Sequence, residues 1–112
     1  VEHEAIKISW IYLIVAIVLE VSGTLSMKLS EGFSKLIPSI AMLVFYLLGL
    51  SVLALALRKI DVSIAYAVWS GLGTAIIAMV GMLWFEEPIT LLKIVSLGLI
   101  IAGVVGLNLE TG

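Results

Sequence analysis

Between Ile8 and Met27 the chain reads ISWIYLIVAIVLEVSGTLSM, twenty residues with a single charged side chain, Glu20. About 20 apolar residues are what a helix needs to cross the hydrocarbon of a bilayer. Three more such runs follow: Leu36 to Leu57 after the polar turn KLSEGFSK, Val62 to Phe85 after RKID, and about Thr90 to Leu107 after EEP. Pro38 falls in the first turn of the second run, where its missing N–H breaks no helical hydrogen bond. None of the runs alternates polar and apolar residues as a strand of a membrane β-barrel would. The sequence therefore predicts an all-α integral membrane protein of four transmembrane helices. Its loops are so short that consecutive helices are expected to be antiparallel neighbours.

Composition agrees: 62% of the 112 residues are hydrophobic, against roughly 45–50% in a soluble domain. Apart from Glu20, the six basic and eight acidic side chains of the sequence lie in loops and tails or at span ends, and form no basic stripe for a nucleic acid. Without cysteine there is no disulfide or thiolate chemistry, and the one histidine, His3, cannot hold a metal alone. Residues 1–7 (VEHEAIK) read as a tail, a processed start or an added remnant; residues 8–109 form one transmembrane domain, and 110–112 a C-terminal tail. The first span is not a cleavable signal, because it is too long, carries Glu20 and lacks a small-x-small site after it.

Lysine and arginine normally collect on the cytoplasmic side. Here Lys7, Arg58 and Lys59 belong to one side, and Lys28, Lys35 and Lys93 to the other. Three against three sets no orientation. Either an unseen factor decides it, or copies insert both ways and pair upside-down to one another, in the manner of inverted-repeat transporters built from separate halves. In the fourth span Ser96, Gly98, Ala102, Gly103 and Gly106 would let another helix backbone approach, as at a dimer interface.

An acidic residue at the centre of a span costs roughly 2.5–3.5 kcal/mol on insertion scales, so Glu20 requires a reason. One is structural, a protonated carboxyl bonded to a neighbouring helix. The other is functional, a proton or cation site. Ala16, Gly23, Thr24 and Met27 share the Glu20 face and are mostly small or flexible, which opens space beside it. In such a place hydrocarbon favours the protonated carboxyl, while a cation favours the carboxylate. Protons and cations then compete for the same oxygens, which is the coupling an antiporter needs.

Tyr66 and Trp69, at i and i+3 in the third span, could hold a cation against their ring faces, with Ser70 and Gly73 nearby. Tyr46 in the second span could join them. Trp10 and Tyr12 lie about 80° either side of the Glu20 direction. Trp10, Tyr12 and Trp84 are near span ends, where aromatic rings also serve as interface anchors. Gly71 and Gly73 in WSGLGT admit close packing or a kink that switches access. Lys28 reads as a snorkelling anchor. A nucleophile–base pair or metal cluster is not visible, so an enzyme is not expected. A non-transporting accessory subunit is the competing class.

The motifs EVSGTLSMKLSEGF (Glu20 to Phe33), IAYAVWSGLGT (Ile64 to Thr74) and LIIAGVVGLNL (Leu99 to Leu109) resemble those of the small multidrug resistance family. The resemblance runs from about Ser9 to Leu109. It implies a four-helix protein of the bacterial inner (plasma) membrane, an antiparallel, dual-topology homodimer that exports small organic cations in exchange for protons, with no cofactor. It also implies that Glu20 is the essential carboxylate, that Tyr66, Trp69 and Tyr46 are binding aromatics, and that Gly71 to Gly73 are the kink. Trp10 stands where the family pattern has Tyr, and Ser96 where it has Gly. Guanidinium exporters of the family resemble E-V-x-W after the carboxylate. This chain has Gly23 there, like the branch that exports quaternary ammonium and aromatic cations, and a roomier cavity is the expected consequence. Polyamine exporters share related text but pair unlike chains, and the even charge count ranks them lower.

Overall fold

The computed structural model describes residues 2–111, leaving Val1 of the N-terminal tail and Gly112 of the C-terminal tail outside the described residues. Four helices follow one another: α1 (Glu2–Leu29), α2 (Leu36–Ala56), α3 (Val62–Leu83) and α4 (Leu91–Thr111). All four are long and apolar enough to cross a membrane.

The boundaries depart from the sequence reading at both tails. Residues 2–7 are not a separate tail but the first turns of α1, and Glu110 and Thr111 continue α4. Glu2 and Glu4 lie in the first turn of α1 and Lys28 in its last, the charge placement that a helix dipole favours. Glu2 also pairs with Lys59 of the α2–α3 loop at 3.5 Å. At about 1.5 Å per residue, α1 is longer than the roughly 30 Å hydrocarbon layer, so its charged first turns emerge from it. The third and fourth helices end and begin at Leu83 and Leu91, because Phe85 to Thr90 is an irregular link. Thr90 starts α4 as an N-cap, its Oγ1 accepting the Lys93 N–H at 3.1 Å.

Ser30, fully buried, shapes the first loop. Its hydroxyl donates to the Met27 carbonyl at 2.7 Å and accepts the Phe33 N–H at 3.1 Å. Glu31, Gly32 and Phe33 all take positive φ in this turn, which only Gly32 adopts without steric cost.

The expectation that consecutive helices are neighbours fails at one junction. α1 packs against both α2 and α3, α4 packs on α3, and α2 does not pack appreciably on α3. The order in space is α2–α1–α3–α4. Leu57 to Asp61 can span up to about 17 Å, enough to pass the end of α1, whereas packed helix axes sit about 8–10 Å apart. The result is a slab with Cα extents of 46 × 35 × 17 Å, not a bundle closed around its own core.

The core is the seam between α1 and α3. Leu13, Ile17 and Val21 recur every fourth residue on α1 and meet Ile64, Ala65 and Val68 of α3, with Ala56 and Ile60 closing one end. Leu13 has no exposed surface. Leu13→Ala is expected to lower unfolding stability in mixed micelles by about 2 kcal/mol. That is the low end for a buried leucine, because lipid or detergent offers an unpacked helix apolar contacts that water does not. An unchanged unfolding midpoint would place the main seam elsewhere.

Candidate functional site

Glu20 lies midway along α1, where α2 and α3 both approach it. Gly49 makes the approach of α2 possible: a Cβ there would stand 3.3 Å from Leu19 Cβ and 3.5 Å from the Glu20 nitrogen. On the other side, a Cβ on Gly73 of α3 would stand 3.3 Å from Glu20 Oε2. Gly49 thus clears the α1 backbone at Glu20, and Gly73 clears the carboxylate itself.

Two cavities meet at this point. One, of about 250 Å³, is lined by Glu20, Trp69, Ser70, Gly73, Thr74 and Ile77. The other, of about 280 Å³, is lined by Glu20, Tyr46, Gly49, Leu50 and Trp69. Glu20 and Trp69 belong to both, so a ligand in either would meet a carboxylate and an indole. Thr24 Oγ1 donates to Glu20 Oε1 at 3.0 Å and lies 2.7 Å from the Tyr46 hydroxyl. Among the described residues no buried side-chain polar atom lacks a hydrogen-bond partner, and no group of histidine, cysteine, aspartate or glutamate could hold a metal.

The remaining expected site residues are distributed unevenly. Tyr66 is 61% exposed and touches Trp69 with ring centroids 5.5 Å apart, so it adjoins the cavities through that ring. Ser70 lines the first cavity, but its hydroxyl donates to the Tyr66 carbonyl at 2.8 Å. Trp10 is not brought to Glu20 in this chain. Ten residues of helix put it about 15 Å away, beside a separate cavity with Lys59, Ile60, Asp61 and Ile64.

Gly23 differs from expectation in a more instructive way. The space above it is not open cavity: a Cβ there would stand 2.5 Å from Tyr46 Cδ1 and 2.6 Å from Cε1. The tyrosine ring occupies the volume that a side chain would claim.

The two glycines of the WSGLGT segment serve different neighbours. α3 runs as an unbroken helix through both. Gly73 clears Glu20, whereas Gly71 receives α4, with a Cβ placed 2.6 Å from Val104 Cγ2 and 3.3 Å from Ile100 Cγ2. Elsewhere on α4 Ser96, Gly98, Gly103 and Gly106 are exposed, and a Cβ on any of those glycines would meet nothing within 4 Å. Lys28 caps the far end of the α1–α3 pair, its Nζ 5.9 Å from the Phe85 ring centroid.

Sequence reasoning missed Gly49, Leu50, Thr74 and Ile77. Gly49 and Leu50 follow Tyr46 by three and four residues, and Thr74 and Ile77 follow Ser70 and Gly73 by four, so helical spacing from the identified residues could have found them.

With this geometry in place, comparison with known proteins is decisive on one point. The sequence profile described as "Small Multidrug Resistance protein" matches residues 8–100. The chain belongs to this family. It is 56% identical over 101 residues to the uncharacterized membrane protein YvaE of Bacillus subtilis, covering 90% of this chain and 85% of that protein. It is 49% identical to the multidrug resistance protein EbrB of the same species, covering 88% of this chain and 84% of EbrB. The quaternary ammonium compound-resistance protein QacE of Escherichia coli is 45% identical, with 89% and 91% covered. Proteins named guanidinium exporter also match, that of Yersinia pestis at 42% identity over 92% of this chain and 99% of its own length. This family member is a multi-pass protein of the bacterial inner membrane and a secondary active transporter, not an enzyme. Multidrug or cation antiport coupled to protons is its general activity.

Proposed function

We propose that this chain exports hydrophobic, aromatic and quaternary ammonium cations in exchange for protons, with cargo and protons competing for Glu20. The observation that carries this is the position of the Glu20 carboxylate between two cavities that share Trp69. An aromatic face attracts a cation by about 2 kcal/mol or more where water is excluded, and a carboxylate beside it supplies the charge. Tyr46 extends the aromatic lining, and Tyr66 extends it through Trp69.

The working unit is an antiparallel homodimer of copies inserted in opposite orientations. The even split of basic residues supports it, as do the thin slab and the uncovered small residues Ser96, Gly98, Gly103 and Gly106 of α4. Two Glu20 carboxylates would then face one shared cavity, with Trp10 and Tyr66 of either copy able to approach it. A bend of α3 at Gly71 and Gly73, beside the carboxylate, would expose the site to one side and then the other.

A second reading draws on the relatives named guanidinium exporter. Proton release from purified, weakly buffered protein separates the two. Tetraphenylphosphonium is expected to release protons, and release by guanidinium alone would favour the second reading. Undiminished proton release by tetraphenylphosphonium from Glu20→Gln protein would refute competition at Glu20.

A further inference from the structure

Most of the basic side chains have a partner within the chain. Lys35 pairs with Glu31 at 3.3 Å and Lys59 with Glu2 at 3.5 Å. Lys93 Nζ donates to the Pro88 carbonyl at 2.9 Å, and Lys28 lies over the Phe85 ring. The Arg58 guanidinium has neither an ion pair nor a hydrogen bond among the described residues. With Lys59 it lines a cavity of about 260 Å³ between the end of α2 and the first third of α1. Ile8, Tyr12 and Leu55 line the same cavity, and no acidic side chain does. Asp61 belongs to a different cavity, with Trp10 and Ile64. Tyr12 is half-buried, and its hydroxyl has no hydrogen-bond partner among the described residues.

The cavity lining is graded along the membrane normal. Arg58 and Lys59 follow Ala56, the last residue of α2, at the level where a span meets the lipid headgroups. Ile8 and Leu55 belong to the apolar runs. A guanidinium offers two parallel N–H groups that match two oxygens of a phosphate. The Lys59 ammonium is shared with an exposed Glu2, a weak contact that leaves it further protons to donate. An organic cation, the cargo expected at Glu20, would be repelled here, so this is not a branch of the transport cavities.

We propose that this cavity binds an anionic phospholipid, with the phosphate against Arg58 and Lys59 and the upper acyl chain along Ile8 and Leu55. Basic pockets between membrane helices are suited to anionic headgroups. A zwitterionic lipid would bring its own ammonium or choline into a site with two cations and no carboxylate. The glycerol of phosphatidylglycerol brings no such charge, and its hydroxyls can pair with Tyr12. Free phosphate has the charge but no chain to lay against the apolar wall.

The test titrates the full chain in dodecylmaltoside micelles with dioleoyl phosphatidylglycerol, counting retained lipid by native mass spectrometry. Parallel titrations use dioleoyl phosphatidylcholine and inorganic phosphate. A hydrogen bond to a charged group is worth about tenfold or more in an equilibrium. Phosphatidylglycerol is expected to saturate at one tight molecule per chain, about tenfold or more tighter than phosphatidylcholine, and to be undisturbed by equimolar inorganic phosphate. Arg58→Gln should weaken phosphatidylglycerol by about tenfold and leave phosphatidylcholine unchanged. Arg58 is exposed, so its replacement has no packing to disturb, and an unchanged unfolding midpoint in lipid-free micelles verifies this. Lys35→Gln removes the same charge from a different loop, and should leave the tight molecule in place. Unmoved affinity in Arg58→Gln would overturn the proposal. So would an equal loss in Lys35→Gln, which would mean general attraction to a basic surface, or displacement by inorganic phosphate, which would mean a site for phosphate alone.

Discussion

Glu20→Gln is expected to abolish proton-driven uptake of tetraphenylphosphonium into proteoliposomes, down to the rate of liposomes without protein. Glutamine keeps the size of the side chain and an oxygen that can accept from Thr24, so the local hydrogen-bond chain has no reason to collapse. What it removes is the ionisable proton and the negative charge. It also removes the roughly 2.5–3.5 kcal/mol that an acidic residue costs at mid-membrane on insertion scales. The variant should therefore insert and unfold at least as favourably as the parent while transporting nothing. That combination distinguishes a coupling residue from a structural one, since loss of a structural carboxyl would lower stability first. Uptake that survived the change would remove Glu20 from the mechanism.

The second large effect separates two glycines that sequence treats as one motif. Gly71→Leu places a side chain against Val104 and Ile100, and overpacking of this kind costs about 1–3 kcal/mol. It should lower the unfolding midpoint by loosening α4 from α3, while the protein that remains folded binds tetraphenylphosphonium with parental affinity. Gly73→Leu points instead at Glu20 Oε2, into a cavity of about 250 Å³. There the end of the Glu20 side chain has to give and the cavity receives the leucine, so stability should fall less than in Gly71→Leu, while affinity for the cation drops by about tenfold or more, the scale of one lost charged contact. Titration of both purified variants, each normalised to folded protein, checks the contrast. Equal losses of affinity in the two would mean that the glycines act together, as a hinge, and not as two separate clearances.

Much of this protein was legible in one dimension because the bilayer imposes a length and a polarity on every segment that crosses it. Four apolar runs became four helices, and the charged residues fell at their ends. Glu20 was identifiable for the same reason, since an acidic side chain inside such a run stands out against its surroundings. Trp69 followed from its spacing in the third run, and it does line both cavities at Glu20. Charge marks where the spans end, not where the helices do, since Glu2 and Glu4 lie in the first turn of α1.

What the sequence could not supply is which helix lies beside which, and what fills the space that a small residue leaves. Loop length limits how far two helices can be apart but does not choose their partners. The choice of α1 as the centre came from the seam of Leu13, Ile17 and Val21 against Ile64, Ala65 and Val68. Gly23 is the clearest case. Read along the chain it is an absence of side chain, and absence suggests room. In three dimensions a residue 23 positions further on, Tyr46, takes that room and turns it into a hydrogen-bonded connection to Glu20. The sequence by itself determined the solvent, the helix count and the charged residue that has to be explained. Only tertiary packing decided what that residue touches, because a glycine specifies a permitted approach and not the atom that makes it.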